Sequence, residues 1–360
     1  MENSDTDFEH IGVTVNENDL ESGALKILRI IRPQWQMASI RFKLLTDGIT
    51  NKLIGCLPDD APEQETVLVR VYGNKTDLLI DRKAETRNIL LLSKQGLAPN
   101  LYATFENGLA YRFQPGCTLN KETVRDPEIY SLVARKMAKL HKVKVEGVDE
   151  PKAFIWKKSR DFLNLVPEEF TLPKTQKRYK ELGLPSQSEL NEEIIELQTT
   201  LEKVETPIVF CHNDLLLGNV IFTQEDNDVT FIDYEYAAFN YQPYDIANHF
   251  AEFVGIDLLA IDYKIDFPSK EFQKDWIRIY LEEFNDGKPT EEAVENLYVN
   301  VIKFVLVTHL FWGIWALIQA EHSTIDFDYL RFAQVRLNEY FSKKKEYLAL
   351  KPATENVNSS

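Results

Sequence analysis

The sequence predicts an α+β fold of two lobes, a small β-rich one followed by a larger, mostly helical one. Three observations point there. Short apolar runs separated by turn-forming residues crowd the chain before residue 113. Helical stripes of 3.6-residue period dominate after it. Residues 208–250 then set a buried strand, a polar loop and a hairpin back to back.

Residues 1–20 carry Glu2, Asp5, Asp7, Glu9, Glu17 and Asp19 with no Lys or Arg. They are expected to be partly disordered, although IGVTV alternates like a short strand. ALKILRIIRPQW is a helix with Leu25, Leu28 and Ile31 on one face, ended by Pro33. In RFKLLTDGITNKLIGCLP two apolar runs flank the turn cluster 46–51. In a nucleotide-binding lobe the main-chain N–H groups of that turn, with Gly48, Thr50 and Asn51, would cover phosphates. Its one glycine also fits a plain hairpin.

TVLVRVYG is a strand carrying Arg70, whose fork suits phosphate oxygens. DRKAETRNILLLSKQG is a helix, and its Glu85 is placed to pair with Arg70. APNLYATFENGLAYRFQPG is a hairpin around Asn107-Gly108, ending in Arg112 and Phe113, where the connector to the next lobe begins. EIYSLVARKMAKLHK puts Val133, Met137 and Leu140 on one helical face. His141 ends it as a cap or core residue. Residues 144–187 show little pattern and are broken by Pro151, Pro167, Pro173 and Pro185. NEEIIELQTTLEKVE is an amphipathic helix. The expected divisions are therefore an acidic N-terminus (1–20), a first lobe (21–113), a second (114–350) and a loose tail (351–360).

The informative stretch is IVFCHNDLLLGNVIFTQEDNDVTFIDYEYAAFNYQPYDIANHF. After the strand come His212, Asp214 and Asn219 in the spacing H-x-D-x-x-x-x-N, and the hairpin delivers Asp233. Phosphoryl transfer needs one carboxylate to orient a hydroxyl and take its proton, and a second, with a carboxamide, to hold Mg²⁺ on the nucleotide. The spacing matches the protein-kinase catalytic loop. It predicts a protein-kinase-like bilobal fold, with Asp214 as base, Asn219 and Asp233 as metal ligands joined by Glu235, and His212 as a brace of the loop.

FCHNDLLLGNVIF, FIDYEYAAFNYQPYDIANHFAEF and THLFWGIWALIQAEHSTIDFDYLRFA together resemble the choline/ethanolamine kinase family. HNDLL and STIDFDYLR are more like its ethanolamine branch, and the similarity runs from about Lys26 to about Leu348. The resemblance implies ATP and Mg²⁺ as cofactors, an arginine on phosphate at position 70, and main-chain groups of Arg112 and Phe113 at the adenine edge. It also implies an amine pocket of Tyr236, Asp245, Glu252, Trp312 and Trp315, where aromatic faces attract an ammonium. The expected reaction makes phosphoethanolamine, the committed entry into phosphatidylethanolamine synthesis. Choline kinases typically carry Gln where this chain has Leu216, and a cage Tyr near Asp257; both departures favour the smaller amine.

Composition narrows the alternatives. A net charge of −16 opposes nucleic-acid binding, which wants a basic stripe. It suits a cationic substrate, though solubility explains it as well. Cys56, Cys117 and Cys211 form no disulfide or metal spacing, and Cys211, next to a strand, reads as a buried thiol. The N-terminus lacks a signal peptide's features, so a cytoplasmic location is expected. Residues 299–320 are long enough to span a membrane, but Lys303 and His309 interrupt them, and a buried helix fits better. The partner is expected to be a small amino alcohol, with a homodimer left open. Rivals are a choline or dual-specificity kinase, an aminoglycoside-type phosphotransferase, and an inactive kinase-like scaffold.

Overall fold

The computed structural model describes residues 9–45, 51–73, 79–323 and 325–352. In chain order the elements are β1 (Glu9–Ile11), α1 (Leu20–Ile31), β2 (Ile40–Leu45), β3 (Asn51–Pro58), β4 (Val67–Tyr72), α2 (Arg82–Lys94), β5 (Leu101–Phe105), β6 (Gly108–Arg112) and β7 (Cys117–Thr118). Then follow α3 (Pro127–His141), α4 (Ile155–Leu163), α5 (Pro173–Glu181), α6 (Gln187–Leu201), β8 (Ile208–Cys211), β9 (Val220–Thr223), β10 (Asp228–Phe231) and β11 (Ala238–Tyr241). The chain ends with α7 (Gln242–Ala251), α8 (Tyr263–Asp266), α9 (Lys270–Phe284), α10 (Glu291–His322) and α11 (Tyr329–Leu348). Two compact units result: Met1–Cys117 with Ile221–Glu235, and Thr118–Val220 with Tyr236–Ser360. The hairpin that carries Asp233 thus returns to the first unit.

The first unit is built on a six-stranded sheet in the order β1-β5-β6-β4-β3-β2, with β1 parallel to β5 and the other pairs antiparallel. β4 lies inside the sheet and is buried on both faces. Its odd residues Val67, Val69 and Val71 join Ala24, Ile27 and Leu28 of α1 in one apolar cluster. Alternation sends Leu68, Arg70 and Tyr72 to the other face, which is how a buried arginine arises on an otherwise apolar strand. The buried face of α1 is Ala24, Ile27 and Leu28; Leu25, expected in that stripe, is only half-buried.

The stretch expected to be partly disordered is ordered where it is described. β1 pairs with β5, and Asn107 both accepts from the Val15 N–H and donates to its carbonyl, each at 2.9 Å. At Gly108 a Cβ would sit 2.0 Å from the Arg70 carbonyl, so the tight β5–β6 turn requires glycine there. The phosphate-covering turn, with Gly48 and Thr50, lies outside the described residues; of Asn51 only the main chain is described. The tail beyond residue 352 lies outside them too.

The second unit is helical, around α10. Over its most apolar window α10 is 94% buried, so the membrane-length stretch is the core helix of this unit. Val133, Met137 and Leu140 of α3 are fully buried as the stripe predicts. The weakly patterned 144–187 nevertheless holds α4 and α5. α4 buries Ile155, Trp156, Ser159, Phe162 and Leu163, a short 3.6-period stripe. Pro173 opens α5 at its first turn rather than breaking it. Ser186 and Glu189 form a capping box at the start of α6.

α10 and α11 approach closely at Gly313, where a Cβ would lie 2.8 Å from Cγ and Cδ2 of Leu337. Gly313→Val is expected to lower the unfolding free energy by about 1–3 kcal/mol. In urea denaturation the midpoint should fall with the slope unchanged; an unshifted midpoint would contradict this packing.

Candidate active site

In the second unit the catalytic loop leaves β8, which pairs with β11 through Cys211 and Ala238. Asp245 on α7 anchors it. Its Oδ2 accepts from the His212 N–H at 2.8 Å, and its Oδ1 from the Asn213 N–H at 2.7 Å. His141, at the end of α3, places Nε2 2.9 Å from the same carboxylate and Nδ1 2.7 Å from the Tyr280 hydroxyl. Gln242 donates to that hydroxyl at 3.0 Å. Gln242, Tyr280 and His141 thus form a connected run of hydrogen bonds that ends on Asp245. Burial alone would raise the Asp245 carboxyl, but the hydrogen bonds and charge from His141 and His212 outweigh it and hold its pKa below the usual value.

Asn213 takes a left-handed φ of +67°, which Asn tolerates. Its Nδ2 donates to the carbonyls of Tyr236 and Ala238 at 3.0 and 3.2 Å, and its Oδ1 accepts from Asn240 at 2.8 Å. His249 donates from Nδ1 to the Leu215 carbonyl at 3.0 Å; burial pushes its pKa down to about 4, so it stays neutral. Asp214 is thus carried on a fixed main chain. Its own N–H reaches Nδ1 of His212 at 3.3 Å, and its carbonyl accepts from Asn219 Nδ2 at 2.9 Å. That bond uses the Asn219 amide nitrogen and leaves the carbonyl oxygen as the end able to meet a cation. Burial raises the Cys211 thiol well above its usual value, so it is not a nucleophile.

The first unit holds a cluster of opposite charges around β4. Arg70 reaches Asp233 at 3.0 Å, Glu85 at 3.1 Å and Glu235 at 2.8 Å. The Arg70–Glu85 pairing expected from the sequence is present. Arg82 adds contacts to Glu85 at 2.9 Å and Glu235 at 3.4 Å. Asp233 has φ of +64°, so the chain turns sharply where its carboxylate is presented. Three carboxyl groups face two guanidiniums. Burial, then the Asp233 charge, push the Glu235 carboxyl up to about 8. The carboxylate oxygens of Glu85, Asp233 and Glu235 lie within 4.8 Å of one another. An all-oxygen set of this kind fits a hard divalent cation, whose binding would displace the proton from Glu235.

At the expected adenine edge the two main-chain N–H groups have protein partners. The N–H of Arg112 donates to the Asn100 carbonyl at 2.8 Å, and that of Phe113 to the Thr66 carbonyl at 3.1 Å. Both donors are spent within the first unit.

In the second unit Tyr236, Trp312 and Trp315 form an aromatic group. Ring centroids lie 5.4 Å apart for Tyr236–Trp312 and 5.7 Å for Trp312–Trp315. Trp312 Nε1 donates to Asn248 Oδ1 at 2.7 Å, and Trp315 Nε1 to the Tyr236 hydroxyl at 3.1 Å. The two carboxylates expected to meet the ammonium both have protein partners. Asp245 is fully buried and bonded to the loop. Glu252 forms a buried pair with Arg336 at 2.7 Å. Asp257 is exposed. Sequence reasoning missed Asn213, Arg82 and Arg336. Arg336 left a signal: it falls among Ala333, Leu337 and Tyr340 on the buried stripe of α11, where an unpaired charge would not survive.

The fold is that of a protein-kinase-like phosphotransferase. The sequence pattern of the choline/ethanolamine kinase family matches residues 42–341. The chain is 44% identical over 425 residues to the ethanolamine kinase of Drosophila melanogaster, covering 96% of this chain and 81% of that protein. It is 44% identical to ethanolamine kinase 1 of Mus musculus, covering 95% of each. The solved structure of an ethanolamine kinase from Plasmodium vivax matches with a TM-score of 0.79 at 29% identity, covering 91% of this chain and 89% of that one. The chain belongs to the choline/ethanolamine kinase family. Membership makes it a kinase that uses ATP, a divalent metal and a small-molecule acceptor.

Asp245→Ala would orphan three buried donors, on His212, Asn213 and His141. At ~1–3 kcal/mol for each, chemical denaturation should show a loss of about 3 kcal/mol or more; a loss below 1 kcal/mol would show that the loop is held otherwise. His249 makes a pH prediction. Its folded pKa, about 4, lies below the ordinary 6.5, so between these values the unfolded chain binds a proton that the folded one refuses. Its contribution is complete above pH 6.5 and is lost as pH falls towards 4. Urea midpoints at pH 7 and pH 5 should therefore differ less in His249→Gln than in the parent, and an equal difference would remove His249 as the cause.

Proposed function

We propose that the protein is an ethanolamine kinase, which moves the γ-phosphoryl group of ATP to the hydroxyl of ethanolamine with Mg²⁺ as its metal and works in the cytoplasm. The observation that carries this reading is 44% identity over nearly the whole chain to proteins named ethanolamine kinase.

The assignment of roles rests on the order of the motifs along the chain. Asp214 orients the substrate hydroxyl and accepts its proton; its fixed main chain supports that duty, since a general base must hold hydrogen-bonding distance to the proton it takes. Asn219, Asp233 and Glu235 hold the metal. When bound, Mg²⁺ neutralises charge on the phosphate oxygens and screens them from the attacking oxygen. Arg70 presents its fork to the phosphates, with Glu85 as its partner before it turns to them. His212 braces the loop. Tyr236, Trp312 and Trp315 offer ring faces to the ammonium end. The three free cysteines accord with a reducing compartment.

Asp214→Asn is expected to lower turnover about 10²–10⁴-fold, the usual scale of a general base, while nucleotide binding is kept. Steady-state assays with ethanolamine, its N-methylated analogues and choline test the acceptor. Ethanolamine should give the highest kcat/KM, with efficiency falling as methyl groups replace N–H donors. Equal efficiency on choline would defeat the substrate assignment, and near-normal turnover in Asp214→Asn would defeat the base.

A further inference from the structure

We propose that Arg82 is a positioning residue for the nucleotide–metal site, carrying Glu85 and Glu235 so that Arg70 is able to turn to the phosphates. The inference rests on the roles assigned above to Arg70 and the carboxylates, and every residue it uses lies in the first unit.

Nothing local favours an arginine at this position. Arg82 is the first residue of α2, directly after the N-cap Asp81, which accepts from the N–H groups of Lys83 and Ala84. A cation in the first turn opposes the helix dipole, which prefers Asp or Glu there. Yet the side chain is only 12% exposed and is held from three segments. Its guanidinium lies 4.0 Å from the ring centroid of Tyr72 on β4. Nη1 reaches Oε2 of Glu85 on its own helix at 2.9 Å and Oε2 of Glu235, after β10, at 3.4 Å. A residue that breaks a local rule while held this firmly serves something beyond its helix.

The charge balance says what it serves. Arg70 divides its fork among Glu85, Asp233 and Glu235, and a guanidinium spent on three carboxylates cannot also grip a phosphate bidentately. The side chains of Glu85 and Glu235 are 0% and 4% exposed, and a buried carboxylate stripped of its cation is strongly disfavoured. Arg82 supplies that second cation to both. Arg70 therefore leaves them without stranding either charge. Without Arg82, every turn of Arg70 towards phosphate would leave the buried Glu85 and Glu235 with neither of their cations.

Arg82→Met keeps a long stem against Tyr72 and removes the charge; Arg82→Lys keeps the charge and removes the fork. Two readouts apply to each: the rise in melting temperature on adding Mg²⁺ with a non-hydrolysable ATP analogue, and the separate KM values for ATP and amine. Arg82→Met should lose most of the nucleotide-induced rise. Its KM for ATP should increase roughly 10- to 100-fold, the scale of one charged hydrogen bond, with kcat and the amine KM changing much less. Arg82→Lys should recover part of both. A merely structural arginine would lower the ligand-free melting temperature and leave the KM for ATP of the folded enzyme alone, and that result overturns the proposal. Should Arg82→Met not fold, Arg82→Lys decides: a raised KM for ATP beside an unchanged amine KM supports the role, and parental constants overturn it. A parent protein that neither gains stability from Mg²⁺ and nucleotide nor phosphorylates an amino alcohol would instead sink the functional reading itself.

Discussion

The Asp245 carboxylate is the constraint on which the rest of the helical unit depends. It meets two consecutive main-chain N–H groups, at His212 and Asn213, and so fixes the direction in which the next residue leaves. Everything packed around it serves that carboxylate. α3 contributes His141, α9 contributes Tyr280, and the start of α7 contributes Gln242. A loop cannot be rigid through its own hydrogen bonds alone; here a helix buried on all sides lends it rigidity. The Asn213 side chain ties the loop to β11, and His249, one turn further along α7, completes the grip. The same packing explains why the fold tolerates a fully buried charge: each lone pair used is matched by a donor of fixed geometry.

Two further buried arginines follow the same logic with a different outcome. Arg336 and Glu252 form a closed pair, supplemented by the Thr308 carbonyl and the Tyr263 hydroxyl, both at 3.3 Å. This pair stiffens the junction of α7, α10 and α11 beside the aromatic group. Arg70 is an open arrangement, because it is shared among three carboxyl groups and Asp233 is 30% exposed. One cluster is closed by a single carboxylate partner, and the other is shared among three carboxyl groups and partly exposed.

Much of this was legible in the sequence because it is local. The β4 run, the Asn107-Gly108 turn, the α3 stripe and the H-x-D-x-x-x-x-N loop each announce themselves within a dozen residues. Arg70 opposite Glu85 was readable because strand and helix follow one another. What escaped was decided by distant partners. Asp245 and Glu252 look like free carboxylates on one helical face until residues 104 and 84 positions away are seen to claim them. The N–H groups of Arg112 and Phe113 look available until the neighbouring carbonyls of Asn100 and Thr66 are in place. α4 and α5 were hidden by prolines that begin or precede short helices. In α1 the stripe was displaced by one position because Ala24 and Gly23, rather than the larger Leu25, let the helix settle close to Val15 and the sheet.

The late position of α10 in the chain has a consequence for biosynthesis. α7, α9 and α11 all pack on it, yet it spans Glu291–His322, in the last fifth of the polypeptide. While a ribosome works, the apolar side of α7 (Gln242–Ala251) emerges well before the helix that covers it. For the time taken to translate the intervening stretch, the nascent polypeptide exposes greasy surface that only its own unfinished end can shield. A message truncated before codon 291 would therefore yield a product left permanently in that sticky condition.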